Sequence, residues 1–522
     1  MSKVISMDQA IAMIPDGACV ATSGIALNGF PEDIIAAIEE SFLATGKPCK
    51  LNMIHAAGQG AWDDEHGYQH LAHEGLIEST IAGHLGTSKK YGTMAEQNKI
   101  KAWNMPQGIV DDMFHATLKG MPGHITKLGL KTFVDPRLEG GRCNSITTED
   151  IVKVIEIDGE EYLMYKAPKI DIALIKGTTA DKFGNISLEE EPLPVDMRLI
   201  AMATRACGGK IICQVKYTCE RLMTDKVAIP GIFIDAVVVT RDAEKYHRQT
   251  AAVFYDPSIS GHTFIPTDAV ARIPLDAKKV IARRSTMELK PGAIINLGVG
   301  APEKVANVAA EEGCADLITM TSESGAVAGV PMGGKSFGAV QNAWGVIEEL
   351  TQFDFYDGGG LDVTFLGLAE ADEKGNVNVS HFGTSVTGCG GFINISQTTP
   401  VLVYCGTFTA GGLKERFEDG RLYIDKEGKN KKFLKSVQQI TFSADFANET
   451  GQKVIYVTER AVFQLVPEGL KLIEIAPGAD LQKDILDQME FAPIIPEGGP
   501  ALMDAKFFME DNFGLYDVMM AK

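Results

Sequence analysis

The chain has 522 residues, 45% of them hydrophobic and 23% charged, which are ordinary globular values with length enough for two or more buried cores. A formal net charge of -20 argues against nonspecific binding to nucleic acid or to an anionic membrane surface, because clustered Lys and Arg drive both. No apolar run approaches the roughly 18 residues of a membrane span.

The opening stretch, MSKVISMDQAIAMIPDG, carries acidic residues where a secretory leader needs an apolar core. The nine cysteines are odd in number, scattered and never spaced C-x-x-C. Both features fit reduced thiols and a cytoplasmic location.

From Lys3, KVISMDQAIAMIPDGACVATSGIALNGFPEDIIAAI predicts a short helix, a turn at Gly17, an apolar strand, a glycine loop with Pro31 and a second helix. Half of the ten histidines follow, at His55, His66, His70, His73 and His84. In EHGYQHLAHEG, His66 and His70 have the i, i+4 spacing of a helical metal pair. The stretch lacks H-E-x-x-H, however, and Gly67 weakens the helix, so packed or solvated histidines are expected and no metal is assigned.

Further on, IDIALIKGTTADKFGNISLEE from Ile170 predicts a strand and a turn. The Pro-containing, polar segment FIPTDAVARIPLDAKK, residues 264 to 279, marks a join.

Beyond it the pattern returns. KVIARRSTMELKPGAIINLGVGAPEKVANVA from Lys279 repeats the opening, with Gly292 and Pro302 in the places of Gly17 and Pro31. LDVTFLGLAEADEKGNVNVS repeats the second stretch, setting Asp372, Gly375 and Asn376 against Asp181, Gly184 and Asn185. CGGFINIS at Cys389 reads as a third match to CGGKIICQ at Cys207. Ordered matches of this kind mean two copies of one unit.

The first pair is offset by 275 residues and the second by 191, so the first copy holds about 84 more, an insertion placed within residues 50 to 150. Short Val/Ile-rich runs alternate with helical patterns, as buried parallel strands covered on both faces do. The expected fold is α/β, with two tandem doubly wound domains: residues 1–270 with the insertion, and 279–522. Ligands in such sheets sit outside the strands' carboxyl ends, at glycine loops and helix N-termini.

The glycine loops of the second copy are the candidate ligand contacts. NLGVGAPEKV lacks the last glycine of a dinucleotide-binding fingerprint, having Glu303 there. It leaves a loop whose amides at Gly298 and Gly300 are candidates for binding a phosphate or oxyanion, although a plain strand-to-helix turn would look the same. YDGGGLDV and TGCGGFINI are further places where backbone can approach a ligand.

MTSESGAVAGVPMGG, residues 320–334, sets the single carboxylate Glu323 among small residues. Ser322 or Glu323 capping a helix or turn is one reading. The other is a carboxylate nucleophile toward an activated acyl group, at a strand end beside oxyanion donors.

Taken together, NLGVGAPEKVAN, TSESGAVAGVP, YDGGGLDVTFLGLAEADEKGNVNVS, GCGGFINISQ, VTERAVFQL and EIAPGADL resemble the β half of family I CoA-transferases. MPQGIVDDMFHATLKGMPGHITKLGLKTFVDP resembles the family's α half. The match runs over nearly the whole chain in fused order and is nearest to the propionate and short-chain acetate CoA-transferase group.

The resemblance implies that Glu323 is the catalytic glutamate. It implies that amides near Gly390 and Gly391 are the best oxyanion donors, and that Gly298 and Gly300 line the CoA side. It implies that Gln107, in the family's P-Q-G, faces the acyl pocket. The 3-ketoacid branch reads S-E-N-G, so Ser324 disfavours that branch.

In the implied reaction, CoA passes between acetyl-CoA or propionyl-CoA and acetate, propionate, lactate or butyrate through a glutamyl-CoA thioester. CoA thioester is the substrate, no prosthetic group is needed, and a homotetramer is implied. Lys335 and Lys414 are candidates for the CoA phosphates. An acyl-CoA hydrolase using the same glutamate and a ligand sensor on the same fold are the competing readings.

Overall fold

The computed structural model describes residues 3–266 and 272–522, so part of the predicted join at 264–279 lies outside the described residues. The chain divides into two compact units. The first comprises Met1–Ile265, Ser322–Asp354 and Ser380–Asn394; the second comprises Pro266–Thr321, Phe355–Val379 and Ile395–Lys522. The units therefore depart from the consecutive boundary expected, because residues 322–354 and 380–394 pack with the first unit.

The first unit is built on seven parallel strands in the order Ala236–Val239, Lys210–Val215, Ile172–Lys176, Cys19–Thr22, Leu51–His55, Ile77–Ala82 and Lys101–Asn104. Burial follows from composition: Ile172, Leu174 and Ile175 are fully enclosed, as a strand covered on both faces requires. Helix Glu32–Thr45 turns Ile34, Ile35 and Ile38 onto the sheet. The chain leaves the strand Cys19–Thr22 first toward one edge and later returns to its other side, which is the switch point of a doubly wound sheet.

In the second unit the parallel strands run in the equivalent order, Lys453–Val457, Val401–Cys405, Val363–Gly367, Ala293–Leu297 and Ile318–Thr321. Antiparallel strands Ala461–Val466 and Gly469–Ile475 extend this sheet.

The duplication is written into side-chain hydrogen bonds. Asp181 Oδ1 accepts the amides of Phe183 and Asn185, and its Oδ2 accepts Asn185 Nδ2 at 2.9 Å. Asp372 repeats the pattern with Lys374 and Asn376, the last contact at 3.1 Å. Asn185 and Asn376 then receive the amides of Gly231 and Ala444. These matched residues are turn staples.

Two expectations are corrected. The third sequence match is not a structural one: residues after Cys207 form the strand Lys210–Val215, whereas those after Gly391 form the helix Phe392–Thr398. The counterpart of that strand is Val401–Cys405, so the shared C-G-G is coincidence. The extra material of the first copy also runs past residue 150, forming the antiparallel sheet Gly123–Thr126, Glu160–Lys166 and Val152–Ile157.

The histidine-rich stretch is an ion-pair network. His66 Nδ1 lies 2.9 Å from Asp63, His70 contacts both Glu32 and Glu39, and His73 lies 2.7 Å from Glu39. Gly67–Leu71 is a single 3₁₀ turn, so the i, i+4 helical geometry is absent. Burial alone would lower His70, but the hydrogen bonds and charges of Glu32 and Glu39 lift it to about 9.

A folded-state value above the unfolded one, about 6.5, means the contribution is whole below that unfolded value and disappears as pH rises through about 9. The variant His70→Gln is therefore expected to be less stable than the parent by on the order of 1–3 kcal/mol at pH 6. Denaturant titrations should show the gap closing above about pH 9.

Candidate active site

Glu323 occupies a reverse turn rather than a helix cap. Ser322 carbonyl accepts the Gly325 amide at 2.9 Å, and the Ser322 amide donates to Ala326 at 2.8 Å. This places Glu323 at the second turn position, directly after the strand Ile318–Thr321. Gly325 has φ +104, and a β-carbon there would overlap the Ile347 carbonyl, so the turn accepts only glycine at that position.

Ser322 and Ser324 hydroxyls bond each other at 2.7 Å, and Ser324 Oγ also donates to Gly338 carbonyl at 3.1 Å. Both hydroxyls are thereby committed to the turn. Among the described residues, neither oxygen of the Glu323 carboxyl accepts a hydrogen bond from a neighbour.

The carboxyl lies against Gly391, where a β-carbon would overlap Glu323 Oε2 and crowd Phe353 Cζ at 3.1 Å. Phe353 is buried and packs still closer to Gly108, whose absent β-carbon would stand 2.6 Å from its ring. Small residues and one aromatic wall thus limit the water around the carboxyl. The residue as a whole is half-buried, which leaves an approach open. Burial pushes the Glu323 carboxyl up to about 7.

The segment Thr387–Gly391 is pinned from behind. Thr387 carbonyl accepts the amides of Leu85 and Gly86, Asn104 Oδ1 accepts the Cys389 amide at 3.0 Å, and Asn104 Nδ2 donates to Ala82 and Gly83 carbonyls. Gly390 amide donates to Gly83 carbonyl at 2.8 Å, and Gly390 carbonyl accepts the Gln107 amide at 2.9 Å.

The expectation for Gly390 is corrected accordingly, because its N–H is committed to the scaffold. Among the described residues the Gly391 N–H has no acceptor, and it adjoins the nucleophile candidate. Gln107 opens the buried helix Gln107–Leu118, and its side-chain amide lies 2.7 Å from Glu349 Oε1.

The structure therefore brings Glu323, Gly390, Gly391 and Gln107 together within one unit. Gly298 and Gly300 belong to the second unit, in the loop between Ala293–Leu297 and the helix Lys304–Glu311. Gly298 amide continues the strand ladder, donating to Phe365 carbonyl at 2.8 Å, so it is not the exposed donor expected. Gly300, at φ +94, has open space around its Cα.

Lys335 is exposed and pairs with Asp63 at 3.0 Å, a surface contact weak enough to be exchanged for another anion. Lys414 starts the strand Lys414–Glu418 in the second unit and is exposed. Among the described residues, no group of three or more His, Cys, Asp or Glu is arranged to hold a metal ion. No helix there is long and apolar enough to cross a membrane.

Sequence reasoning missed Asn104, Gly83 and Glu349. Asn104 carries a weak signal as a polar residue ending an apolar strand. Glu349, in GVIEEL, reads as one of two charges on a solvated helix start, yet it is fully buried.

Comparison with known proteins shows the family. Residues 4–240 match the family model described as Coenzyme A transferase. The whole chain is 45% identical to caffeate CoA-transferase of Acetobacterium woodii, covering all of both sequences. It is 42% identical to acetate CoA-transferase YdiF of Escherichia coli O157:H7, over 98% of this chain and 96% of that one. The chain belongs to the coenzyme A transferase family.

It is accordingly a CoA-transferase, with a CoA thioester as substrate, and it has the family's two-domain α/β fold. A crystal structure of YdiF as a thioester complex with CoA superposes with a TM-score of 0.92 at 40% identity, covering 98% of this chain and 97% of that one.

In this candidate site the contact between Gly391 and Glu323 leaves no room for a β-carbon. Gly391→Ala is expected to lower kcat by about 10²-fold or more, because the added methyl displaces the carboxyl and covers one amide donor. Steady-state kinetics beside a thermal melt will check it; the melting temperature should move by only a few degrees.

Proposed function

We propose that Glu323 is the covalent nucleophile of a ping-pong CoA transfer between a short-chain acyl-CoA and a free carboxylate. The carboxylate attacks the thioester carbonyl, the C–S bond breaks, and an acyl-glutamyl anhydride and CoA thiolate result. The thiolate then attacks the glutamyl carbonyl, releasing the first acid and leaving a glutamyl-CoA thioester. An incoming carboxylate reverses the two steps, so that atoms, charge and electrons balance without a further reactant.

The observation that carries this reading is the water-poor setting of Glu323 against Gly391. A carboxyl raised to about 7 is a stronger nucleophile when ionised than an ordinary carboxylate. Both intermediates hydrolyse in water, and Phe353 with its glycine neighbours limits water at the reacting carbon. The Gly391 amide supplies an oxyanion donor at each tetrahedral stage. YdiF, solved as a CoA thioester complex, supports the same chemistry.

Acetate and propionate are the proposed acids, with lactate and butyrate as further acceptors. The caffeate-named relative gives one specific reason for a second reading, in which an aromatic acid is accepted. The 3-ketoacid alternative is weaker, since succinyl-CoA:3-ketoacid relatives share only 24% identity or less over most of the chain. A homotetramer in the cytoplasm is the proposed setting.

Initial rates with acetyl-CoA and varied propionate should give parallel double-reciprocal lines, and labelled acetate should exchange into acetyl-CoA without a second acid. Glu323→Gln should abolish both, by about 10⁴-fold or more. Thioester loss independent of any acid would favour the hydrolase reading. Faster turnover with caffeate than with propionate would favour the aromatic one.

Because the anion is the attacking form, kcat/KM should fall with a one-proton slope below about pH 7.

A further inference from the structure

Glu349 begins the helix Glu349–Asp357 and is completely buried. Its amide donates to Val195 carbonyl at 3.1 Å, its Oε1 contacts the Gln107 side chain at 2.7 Å, and its Oε2 has no partner. Among the described residues no cation pairs with it.

The groups facing it from neighbouring elements are acidic: Asp196 from the start of the helix Met197–Ala206, Glu323 from its turn, and Asp111 one turn beyond Gln107. Asp111 is itself buried with both oxygens unpartnered, and it faces Asp112 and Asp354 as well. Arg198, on the helix Met197–Ala206, is taken by Glu348 at 2.8 Å.

Burial first, then the charge of Asp196, raises the Glu349 carboxyl well above the usual carboxylate range; the Gln107 hydrogen bond opposes this, and Glu323 adds to the rise. The positive end of its own helix favours the anion, but that effect is smaller than the cost of an unpaired buried charge.

A neutral carboxyl carries an O–H that needs an acceptor, and Glu349 has a single side-chain contact to satisfy it. The two ends of a glutamine amide are isosteric, so the same contact is made with the carbonyl end turned to Glu349. A separation of 2.7 Å is also the usual length of an O–H···O bond. The other end of the amide faces Gly390, whose β-carbon would stand 3.7 Å from it.

We propose that Glu349 acts as a neutral carboxylic acid that donates its proton to the Gln107 carbonyl, and so turns the Gln107 NH₂ toward Gly390 and Gly391 as a second donor to the acyl oxygen. Glu349 is then a positioning residue acting through Gln107. The inference rests on the assignment of Glu323 as nucleophile.

The test is the pH profile of acetate/acetyl-CoA exchange in the full-length parent, Glu349→Gln, Glu349→Ala, Gln107→Ala and the Glu349→Ala/Gln107→Ala pair. Ionisation of Glu349 would turn the amide around, so the parent should lose rate at alkaline pH. Glu349→Gln offers a non-titrating NH₂ to the same carbonyl. It should stay within about fivefold of the parent at pH 7 and lose the alkaline limb. Glu349→Ala should fall about 10²-fold, and the double variant should be no slower than Gln107→Ala alone.

An alkaline limb unchanged in Glu349→Gln overturns the proposal, as do multiplying losses in the double variant. If the parent shows no such limb in its stable range, the Gln rescue and the double variant decide in the same way. Failure of the Glu323 assignment looks different: the parent would then exchange label without any dependence on Glu323.

Discussion

A carboxylate with little water around it is poorly stabilised as an anion, and a few contacts within the first unit hold Glu323 in that condition. Glu323 has no hydrogen-bonding partner among the described residues and rests against a backbone with no β-carbon. The turn that presents it depends on Gly325, the surface it faces depends on Gly391, and the wall beside both is the ring of Phe353, seated against Gly108. Removing solvent raises the ground-state energy of the anion. It would also protect the proposed intermediates, which water destroys. The two effects come from the same contacts.

The duplicated fold explains where this arrangement comes from. In both copies a parallel strand follows the first strand of the sheet, Leu51–His55 in one and Ile318–Thr321 in the other. The two residues after it are Ala56 and Ala57 in the first copy and Ser322 and Glu323 in the second. One architecture thus carries an alanine pair and the turn of the proposed nucleophile at equivalent places. Segments 322–354 and 380–394 fold with the first unit, so the turn meets the helix beginning at Gln107 and the loop around Gly83 inside one compact body. The Asp181 and Asp372 staples, identical in both copies, are scaffold.

Local pattern made the alternating strands and helices legible, and the matching pairs at Gly17 and Gly292 and at Asp181 and Asp372 showed the duplication. The C-G-G match misled because three small residues suit both a helix end, as at Cys207, and a helix start, as at Cys389. Glu323 stood out as a lone carboxylate among small residues, and family resemblance supplied its proposed role. What the linear sequence could not show was hydrogen-bond commitment: Gly298 and Gly390 look like free donors until Phe365 and Gly83 are placed beside them. Glu349 was hidden for the opposite reason. A glutamate pair at a helix start is nearly always solvated, and only the packing of Asp111, Asp196 and Gln107 around it shows that this one is not.

The most direct test of the central claim is intact-mass spectrometry of the protein mixed with acetyl-CoA and no acceptor, followed by peptide mapping. The account predicts a mass gain equal to CoA less water, on the peptide that contains Glu323 and absent from Glu323→Ala. Consumption of acetyl-CoA with no adduct on that peptide, or an adduct that survives in Glu323→Ala, would contradict it.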